Sequence, residues 1–375
     1  MREWHRWEVG SMFHWDDNLT PPFWTLPTPS RFYLLCRHAI ADLCASRANR
    51  PVLWLPTFLC PEIAHFCRKV AILREYRDDC RWPEPDWCSL RPGDGDMVLA
   101  VNYFGVRGAE PWRDWSTRNP GSVLIEDHTQ DPLSSWAINS LADYAVCSLR
   151  KTLPVPDGAM LWSPSGRSLP PIPHQGCWQG SFVKLGAMLY KKQYLEGTVP
   201  ASIKSRYREW QLVGEQQLSE TEISTMSPVA EAILSRGIPK SWRECRMQNA
   251  RILLSQLSLL KVAQPVFTSW PEGHAPFDVP LVFPSQSERD RYQRILQQQQ
   301  IYCPVEWVCR TSDREAMDLS SRVLSIPIDQ RYSVVDMERV AEALIAVSAE
   351  PGSVSRSDQV AEREISLQRD RMSDV

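Results

Sequence analysis

The sequence predicts a mostly parallel β-sheet with helices on both faces, followed by a smaller α+β unit. Short apolar runs alternate with helix-length segments over residues 34–162, and helical periodicity dominates residues 182–262. Strand and helix patterns alternate again as far as residue 347. Strands separated by helix-length segments are typical of parallel sheets whose connections cross over as helices.

The first 30 residues are rich in Pro and Trp and lack a helical or strand period, which predicts an ordered arm held to the rest of the fold, or to a partner subunit, by aromatic burial. The elements predicted after it are a helix at 37–48, a strand at 52–55, a helix at 61–70, strands at 71–76 and 97–102, a crossover at 110–118, and strands at 122–126, 144–148 and 158–162.

The smaller unit is predicted to contain strands at 277–283, 303–308 and 323–326 and helices at 288–299 and 334–347. The end of the chain is rich in Ser, Arg, Asp and Glu, which predicts a disordered tail. The expected organisation is therefore an arm (1–30), a large domain (31–235), a small domain (236–347) and a tail (348–375).

Composition excludes several classes of protein. The 375 residues carry 42 Lys and Arg against 45 Asp and Glu, a net charge of −3, so the chain lacks the basic surface of a nucleic-acid binder. No apolar run approaches the roughly 20 residues that span a bilayer. The first ten residues contain Arg, Glu and Trp rather than the apolar core of a signal peptide, so we expect a cytoplasmic protein without membrane contact.

Common catalytic and metal-binding motifs are absent from the sequence. It contains no GxxxxGK[ST], GxSxG or HExxH pattern and no GxGxxG after the first predicted strand. The eleven cysteines include no CxxC pair, so we expect reduced thiols and no metal site. Candidate catalytic residues must therefore be identified outside these motifs.

Two predicted strands end in residues that carry chemistry. One strand delivers Asp127, with His128 and Gln130 beside it, and the other delivers Ser148, Arg150 and Lys151. Ligands bind at the carboxyl ends of strands in open parallel sheets. A lysine amine that forms a Schiff base and a carboxylate that pairs with a pyridinium nitrogen are the two groups a pyridoxal-phosphate enzyme needs.

Short motifs along the chain resemble the DegT/DnrJ/EryC1/StrS family, the fold type I pyridoxal-phosphate aminotransferases best known from amino-sugar biosynthesis. The resemblance covers about residues 34–347 and rests on Pro56-Thr57-Phe58, Asn102-Tyr103-Phe104-Gly105, Glu126-Asp127-x-x-Gln130, Ser148-Leu149-Arg150-Lys151 and Leu324-Ser325-Ile326-Pro327. It implies a large α/β domain with a small C-terminal domain, and a homodimer with active sites at its interface.

The resemblance also implies roles for individual residues. Lys151 would form the Schiff base and act as general acid and base, and Asp127 would pair with the pyridine nitrogen. Gln130 would approach the cofactor hydroxyl, Ser148 its phosphate, and Phe58 the face of its ring. Further cofactor-binding candidates are His128, which would pack over the ring or brace the site, and Asn102. Candidates for binding the substrate are Arg150, which could instead bind phosphate, and Arg331, whose guanidinium matches a carboxylate.

The sequence departs from the family pattern in two places. The phosphate-binding turn, which usually holds small residues, reads Leu35-Cys36-Arg37-His38-Ala39, so Arg37 and His38 become candidate cofactor ligands. The spacing from Ser148 to Lys151 is also shorter than in the sugar aminotransferases. The chain is therefore expected to be a divergent member, and sugar-nucleotide specificity is not carried over.

Three functional readings follow. The first is an aminotransferase that moves an amino group from an amino acid to a carbonyl acceptor, in specialised-metabolite or polysaccharide biosynthesis. The second is another pyridoxal-phosphate reaction, such as elimination, replacement, cyclisation or decarboxylation, which would use the same Lys151 and Asp127. The third is a catalytically inactive binding subunit, in which Lys151 is a surface lysine, Asp127 a turn residue, Phe58 core and Arg331 half of a salt bridge.

Overall fold

The computed structural model describes residues 5–16 and 21–349. Within them the strands are β1 (Val9–Gly10), β2 (Phe23–Trp24), β3 (Ser30–Tyr33), β4 (Val52–Pro56), β5 (Ile72–Tyr76), β6 (Met97–Val101), β7 (Val123–Asp127), β8 (Tyr144–Ser148), β9 (Ala159–Trp162), β10 (Ile238–Pro239), β11 (Gln264–Pro265), β12 (Asp278–Val282), β13 (Ile301–Tyr302) and β14 (Val323–Pro327).

The α-helices of the same residues are α1 (Cys36–Ala45), α2 (Pro61–Cys67), α3 (Glu110–Arg118), α4 (Ser135–Ile138), α5 (Leu149–Thr152), α6 (Gln179–Leu195), α7 (Ile203–Ser219), α8 (Pro228–Leu234), α9 (Ser241–Leu257), α10 (Gln286–Gln298), α11 (Arg314–Arg322) and α12 (Val334–Ala349), and a short 3-10 helix spans Tyr103–Gly105. None of the helices in this part of the chain is both long enough and apolar enough to cross a membrane. The predicted tail lies outside the described residues from position 350 onward.

The large sheet has seven strands in the order β3-β9-β8-β7-β6-β4-β5. Strands β4 to β8 are parallel. At one edge β9 pairs antiparallel with β8, and β3 pairs antiparallel with β9. The central strands β6 to β8 are buried along their whole length, as expected where layers cover both faces. The predicted fold class, a mostly parallel sheet flanked by helices, is confirmed.

Alternation along the strands decides which side chains share a face. Ile125 packs in the core cluster beneath α1 and α2, whereas its neighbour Leu124 packs with Trp112 and Trp136 on the opposite face. Successive side chains of a strand point to opposite faces. Asp127 therefore shares the face of Ile125, and Glu126 the face of Leu124.

A second sheet, in the order β11-β12-β14, is antiparallel and packs with α9, α10 and α12 in a separate apolar cluster. The sequence predicts a strand at 303–308, and this prediction is wrong. The strand here is β13, which lies two residues earlier, and residues 303–310 have no regular structure. The reason is that residues 301–302 have a backbone partner in the arm, where β1 pairs with β13 in parallel.

The described part of the arm is held by backbone pairing and buried charge as well as by aromatic contact. Strand β2 pairs with β10, and the indole nitrogen of Trp7 donates to Asp336 at 2.6 Å. The carboxylate of Glu8 is buried between Lys191 Nζ at 2.8 Å and Lys204 Nζ at 2.7 Å. Burial opposes ionisation of Glu8, but the two lysines outweigh it and lower its pKa to about 2.

Replacing Glu8 by glutamine should destabilise the fold, because Lys191 would remain buried without its ion-pair partner. We expect a loss of about 3–5 kcal/mol in the free energy of unfolding at pH 7, measured by denaturant titration. The folded-state pKa of Glu8 is depressed, so this contribution should be lost as the pH falls from about 4.5 towards 2. Glu209→Gln, on an exposed position of α7, is the control, and an equal loss in both variants would contradict the prediction.

Candidate active site

A cleft lies where β6, β7 and β8 end at the carboxyl edge of the large sheet. It encloses about 620 Å³ including its open mouth. The strand ends contribute Asn102, Asp127 and Ser148, and the start of α1 contributes Arg37. Lys151, on α5, completes this wall. The cleft therefore brings together residues that the sequence predicts as a site, at the edge where parallel sheets bind ligands.

Asp127 is the buried acid of the cleft. Its side chain accepts a hydrogen bond from the backbone N–H of Thr129 at 2.9 Å. Burial raises the pKa of Asp127, and the hydrogen bonds from Thr129 partly oppose that rise. The Thr129 hydroxyl also accepts from the Ser148 N–H at 2.9 Å, which ties the ends of β7 and β8 together. A cationic partner in the cleft would favour the ionised form of Asp127.

The turn that carries Lys151 is fixed by Gly158. The carbonyl of Gly158 accepts from Leu149 N–H, and its own N–H donates to Leu34, both at 2.9 Å. Gly158 has φ +121°, and a Cβ there would approach Met226 Sδ within 2.8 Å, so the position requires glycine. These bonds fix α5 beside the segment that precedes α1.

The side chain of Lys151 remains 44% exposed and lies beside a carboxylate. Its Nζ is 3.8 Å from Glu306 Oε2. This carboxylate raises the pKa of Lys151, against a smaller opposing effect of burial. Lys151 is thus an accessible amine held in its protonated form.

The rim of the cleft has the chemistry of an anion site. No side chain caps the first turn of α1, whose N–H groups carry partial positive charge. Burial and, to a smaller extent, the charge of Arg150 lower the pKa of Arg37. Arg37 pairs with Glu62 at 3.1 Å and Arg150 with Glu215 at 2.6 Å. Among the described residues, the buried Arg150 Nε has no hydrogen-bond partner. A phosphate fits this set of donors.

Two other predicted residues in the cleft are already engaged within the protein. The side-chain oxygen of Gln130 accepts from the Phe104 N–H, which leaves its NH₂ group for a ligand. Asn102 Oδ1 accepts from the Arg107 N–H at 3.1 Å, and its Nδ2 lies 3.4 Å from Ser134 Oγ. Asn102 therefore shapes the turn after β6.

The structure does not bring three predicted cofactor ligands to the cleft. His128 lies on the opposite face of the sheet, where its Nε2 is 3.0 Å from Glu126 and its ring packs against Trp136. His38 is fully buried and stacks on Phe66. Phe58 is core, packed edge-on against Trp307, and it is Trp307 that lines the cleft. We do not retain cofactor roles for His128, His38 or Phe58.

Arg331 is committed to the protein itself. Its guanidinium contacts Asp329 twice, at 2.7 and 2.8 Å, and its Nη1 donates to the Met12 carbonyl at 2.8 Å. It also lies over the Phe13 ring, 4.4 Å from the centroid. These contacts use the fork that a substrate carboxylate would need, so we do not retain the substrate role.

Three residues of the site were not foreseen from sequence: Thr129, Glu306 and Trp307. Thr129 had a usable signal, because a hydroxyl residue two positions after a strand-end acid often binds the backbone of the turn. Glu306 and Trp307 lie in the segment predicted as a strand and carried no such signal. Their contact with Lys151 and Phe58 depends on tertiary structure.

Comparison with solved structures identifies the fold. The aminotransferase TlmJ from Streptoalloteichus hindustanus is 18% identical, with 85% of this chain and 86% of that one covered and a TM-score of 0.56. A DegT DnrJ EryC1 StrS aminotransferase from Brucella abortus is 14% identical, with 86% of each chain covered and a TM-score of 0.55. The putative sugar aminotransferase Spr1654 from Streptococcus pneumoniae, in its PMP form, is 12% identical, with 85% and 86% covered and a TM-score of 0.58.

At these identities the likeness shows the fold alone, and the predicted fold type I architecture is confirmed. No protein-family model matches the sequence, and no curated protein matches it either.

Proposed function

We propose that this chain is a pyridoxal-phosphate-dependent aminotransferase that transfers an amino group from an amino donor to a carbonyl acceptor. One observation carries the proposal: an accessible lysine amine and a buried carboxylate line the same cleft, whose rim also carries Arg37 and Arg150. The fold shared with solved aminotransferases agrees with it.

Different residues of the cleft would bind different parts of the cofactor. Lys151 would hold it covalently, Asp127 would pair with the ring nitrogen, and Arg37, Arg150 and the start of α1 would hold its phosphate. The free NH₂ of Gln130 would serve the ring hydroxyl. When bound, the cofactor supplies a ring that accepts the electrons left behind when a substrate C–H proton is removed.

The protein's own residues control protons in the cleft. Lys151 Nζ, once free, is the group that would move a proton at the reacting carbon, since it is the accessible amine in the cleft that Asp127 also lines. Without cofactor, Glu306 Oε2 lies 3.8 Å from that nitrogen and raises the pKa of Lys151. By the same likeness we propose a homodimer.

The test is a half-reaction followed by visible absorbance. Protein incubated with pyridoxal phosphate and freed of excess should be yellow, should lose the colour with an amino donor such as glutamate, and should regain it with a 2-oxo acid. Irreversible loss of colour with product release would replace aminotransfer by another reaction. A protein that stays colourless at every cofactor concentration would refute the proposal.

Replacing Glu306 by glutamine should speed cofactor capture near pH 7. Glu306 raises the pKa of Lys151, and only the neutral amine attacks an aldehyde, so the variant should carry more reactive amine. We expect the yellow band to appear several times faster at pH 7, with the two rates converging as the pH rises past the pKa of the wild-type lysine. Stopped-flow absorbance measures this. Glu315→Gln, an exposed acid paired with Arg77, is the control, and an unchanged or slower rate in Glu306→Gln would contradict the prediction.

A further inference from the structure

A second, larger cleft opens beside Lys151 and Arg150, which line both spaces. This outer cleft encloses about 1640 Å³ including open solvent. Its far side is formed by arm residues 10–13 and by residues of the second sheet. A ligand entering from solvent would pass through it to reach the lysine.

Most charges that line the outer cleft are already paired. Arg331 is paired with Asp329, and Arg150 and Lys184 both contact Glu215 at 2.6 Å. Lys151 is paired with Glu306. Among the described lining residues, two charged groups have no ion-pair partner. One is Arg208, whose guanidinium lies over the Tyr302 ring, 4.6 Å from its centroid, and the other is the carboxylate of Asp278.

Asp278 is the first residue of β12, an otherwise apolar strand, and is only 6% exposed. No side chain of the described residues hydrogen-bonds or ion-pairs with its carboxylate. The charged groups that face it are Glu306, Asp329, Arg246 and Lys151. Arg246 directs its guanidinium elsewhere, donating to the Thr152 carbonyl at 2.8 Å and to Gln330 at 3.0 Å.

A buried carboxylate without a partner is costly, and a second carboxylate beside it increases the cost. Burial and the neighbouring Glu306 accordingly raise the pKa of Asp278 well above its usual value. In the cofactor-free protein the Lys151 ammonium partly offsets this charge. Once Lys151 is bonded to a cofactor it no longer offers a free ammonium group, and both acids then face the cleft.

We infer that Asp278 and Glu306 form a binding site for the ammonium group of an amine substrate, next to Lys151 in the outer cleft. The inference deepens the proposed function, because it names the substrate class as a primary amine recognised through its positive charge. Of the cations that could have selected a carboxylate instead, Arg331 is paired with Asp329 and Lys184 with Glu215. Arg150 is the residue proposed for the cofactor phosphate, and Arg208 lies over the Tyr302 ring. A cation bound between the two acids would pair with Asp278 and, once Lys151 is bonded to a cofactor, with Glu306 as well.

The test uses 1,4-diaminobutane as the probe and 1,4-butanediol as its neutral counterpart. Binding is measured by titration calorimetry on the full chain prepared without cofactor. The diamine should bind and the diol should not. Asp278→Asn and Glu306→Gln should each weaken diamine binding at least tenfold, and Lys151→Ala should strengthen it, because the internal ammonium no longer competes for Glu306.

Glu342→Gln, an exposed position on α12, is the matched control and should bind like the wild type. Equal binding of diol and diamine, or unaltered diamine binding in both Asp278→Asn and Glu306→Gln, would overturn the inference. Because no cofactor is present, the two proposals fail separately. If the protein turns yellow with the cofactor but does not bind the diamine, only the ammonium site is refuted. If it binds the diamine through these acids but never turns yellow, only the aminotransferase proposal is refuted.

Asp278→Asn has a second readout that does not depend on any ligand. The pKa of Asp278 is raised in the folded state, so its ionisation destabilises the fold as the pH rises through that pKa. The variant should therefore melt a few degrees higher than the wild type at pH 8, with the difference shrinking as the pH falls towards the pKa of an unfolded aspartate near 4. Thermal melts across this range measure it. A variant that melts lower than the wild type at pH 8 would show that the carboxylate is satisfied in the folded protein.

Discussion

Lys151→Ala is expected to abolish both covalent cofactor attachment and aminotransfer. The side chain of Lys151 supplies the accessible amine that lies in the same cleft as Asp127. Without that amine no bond to the cofactor aldehyde can form at this position, and the proton-moving group is lost as well. Borohydride should fix the cofactor to the wild type and leave the variant unlabelled, which mass spectrometry of the intact protein would measure.

Lys184→Ala is the matched control for this experiment. Lys184 is buried in the wall of the adjoining outer cleft and contacts Glu215, so its removal alters the same neighbourhood without touching the proposed attachment point. The control should still be labelled at a single site. Labelling that survives in Lys151→Ala and disappears in Lys184→Ala would move the attachment point to the other lysine and refute the assignment.

Asp127→Asn is expected to weaken cofactor binding severely while leaving the fold intact. The asparagine retains the shape and the acceptor for the Thr129 N–H but removes the charge proposed to face the ring nitrogen. Breaking a buried ion pair from one side costs about 3–5 kcal/mol, which corresponds to roughly a hundred- to several-thousandfold in affinity. Equilibrium dialysis would measure the affinity, and turnover should fall with it.

The neighbouring acid provides the control for Asp127. Glu126 lies on the other face of β7, where it accepts from Ser140 at 2.6 Å and contacts His128. Glu126→Gln should lower thermal stability and leave cofactor affinity unchanged. If Glu126→Gln and Asp127→Asn weakened cofactor binding equally, the effect would come from damage to β7 and not from the lost charge.

The strand-end part of the site was predictable from sequence because it depends on local pattern. An apolar run followed by Glu126 and Asp127, and another followed by Ser148, places Asp127 and Ser148 at one edge of a parallel sheet. Alternation along β7 could also have removed His128, because a residue one position from Asp127 points to the other face. That inference needed only the period of a strand.

The rest of the site depends on contacts between distant parts of the chain. Arg331 has a guanidinium suited to a carboxylate, and the sequence gives no sign that the carbonyl of Met12 accepts from it. Glu306 reaches Lys151 from an irregular segment, so neither spacing nor periodicity marks it. Contacts of this kind join residues that are far apart in the sequence, so local patterns do not reveal them.

The pairing of β1 with β13 also has a consequence for the order of folding. Strand β1 pairs with residues 301–302, so this pairing cannot form until the ribosome has synthesised most of the protein. Until then Glu8 lacks the neighbourhood that includes Gln300, and Arg331, which holds the Met12 carbonyl, does not yet exist. Docking of the arm is therefore expected to be a late event in biosynthesis, and the outer cleft, whose wall includes residues 10–13, to be completed last.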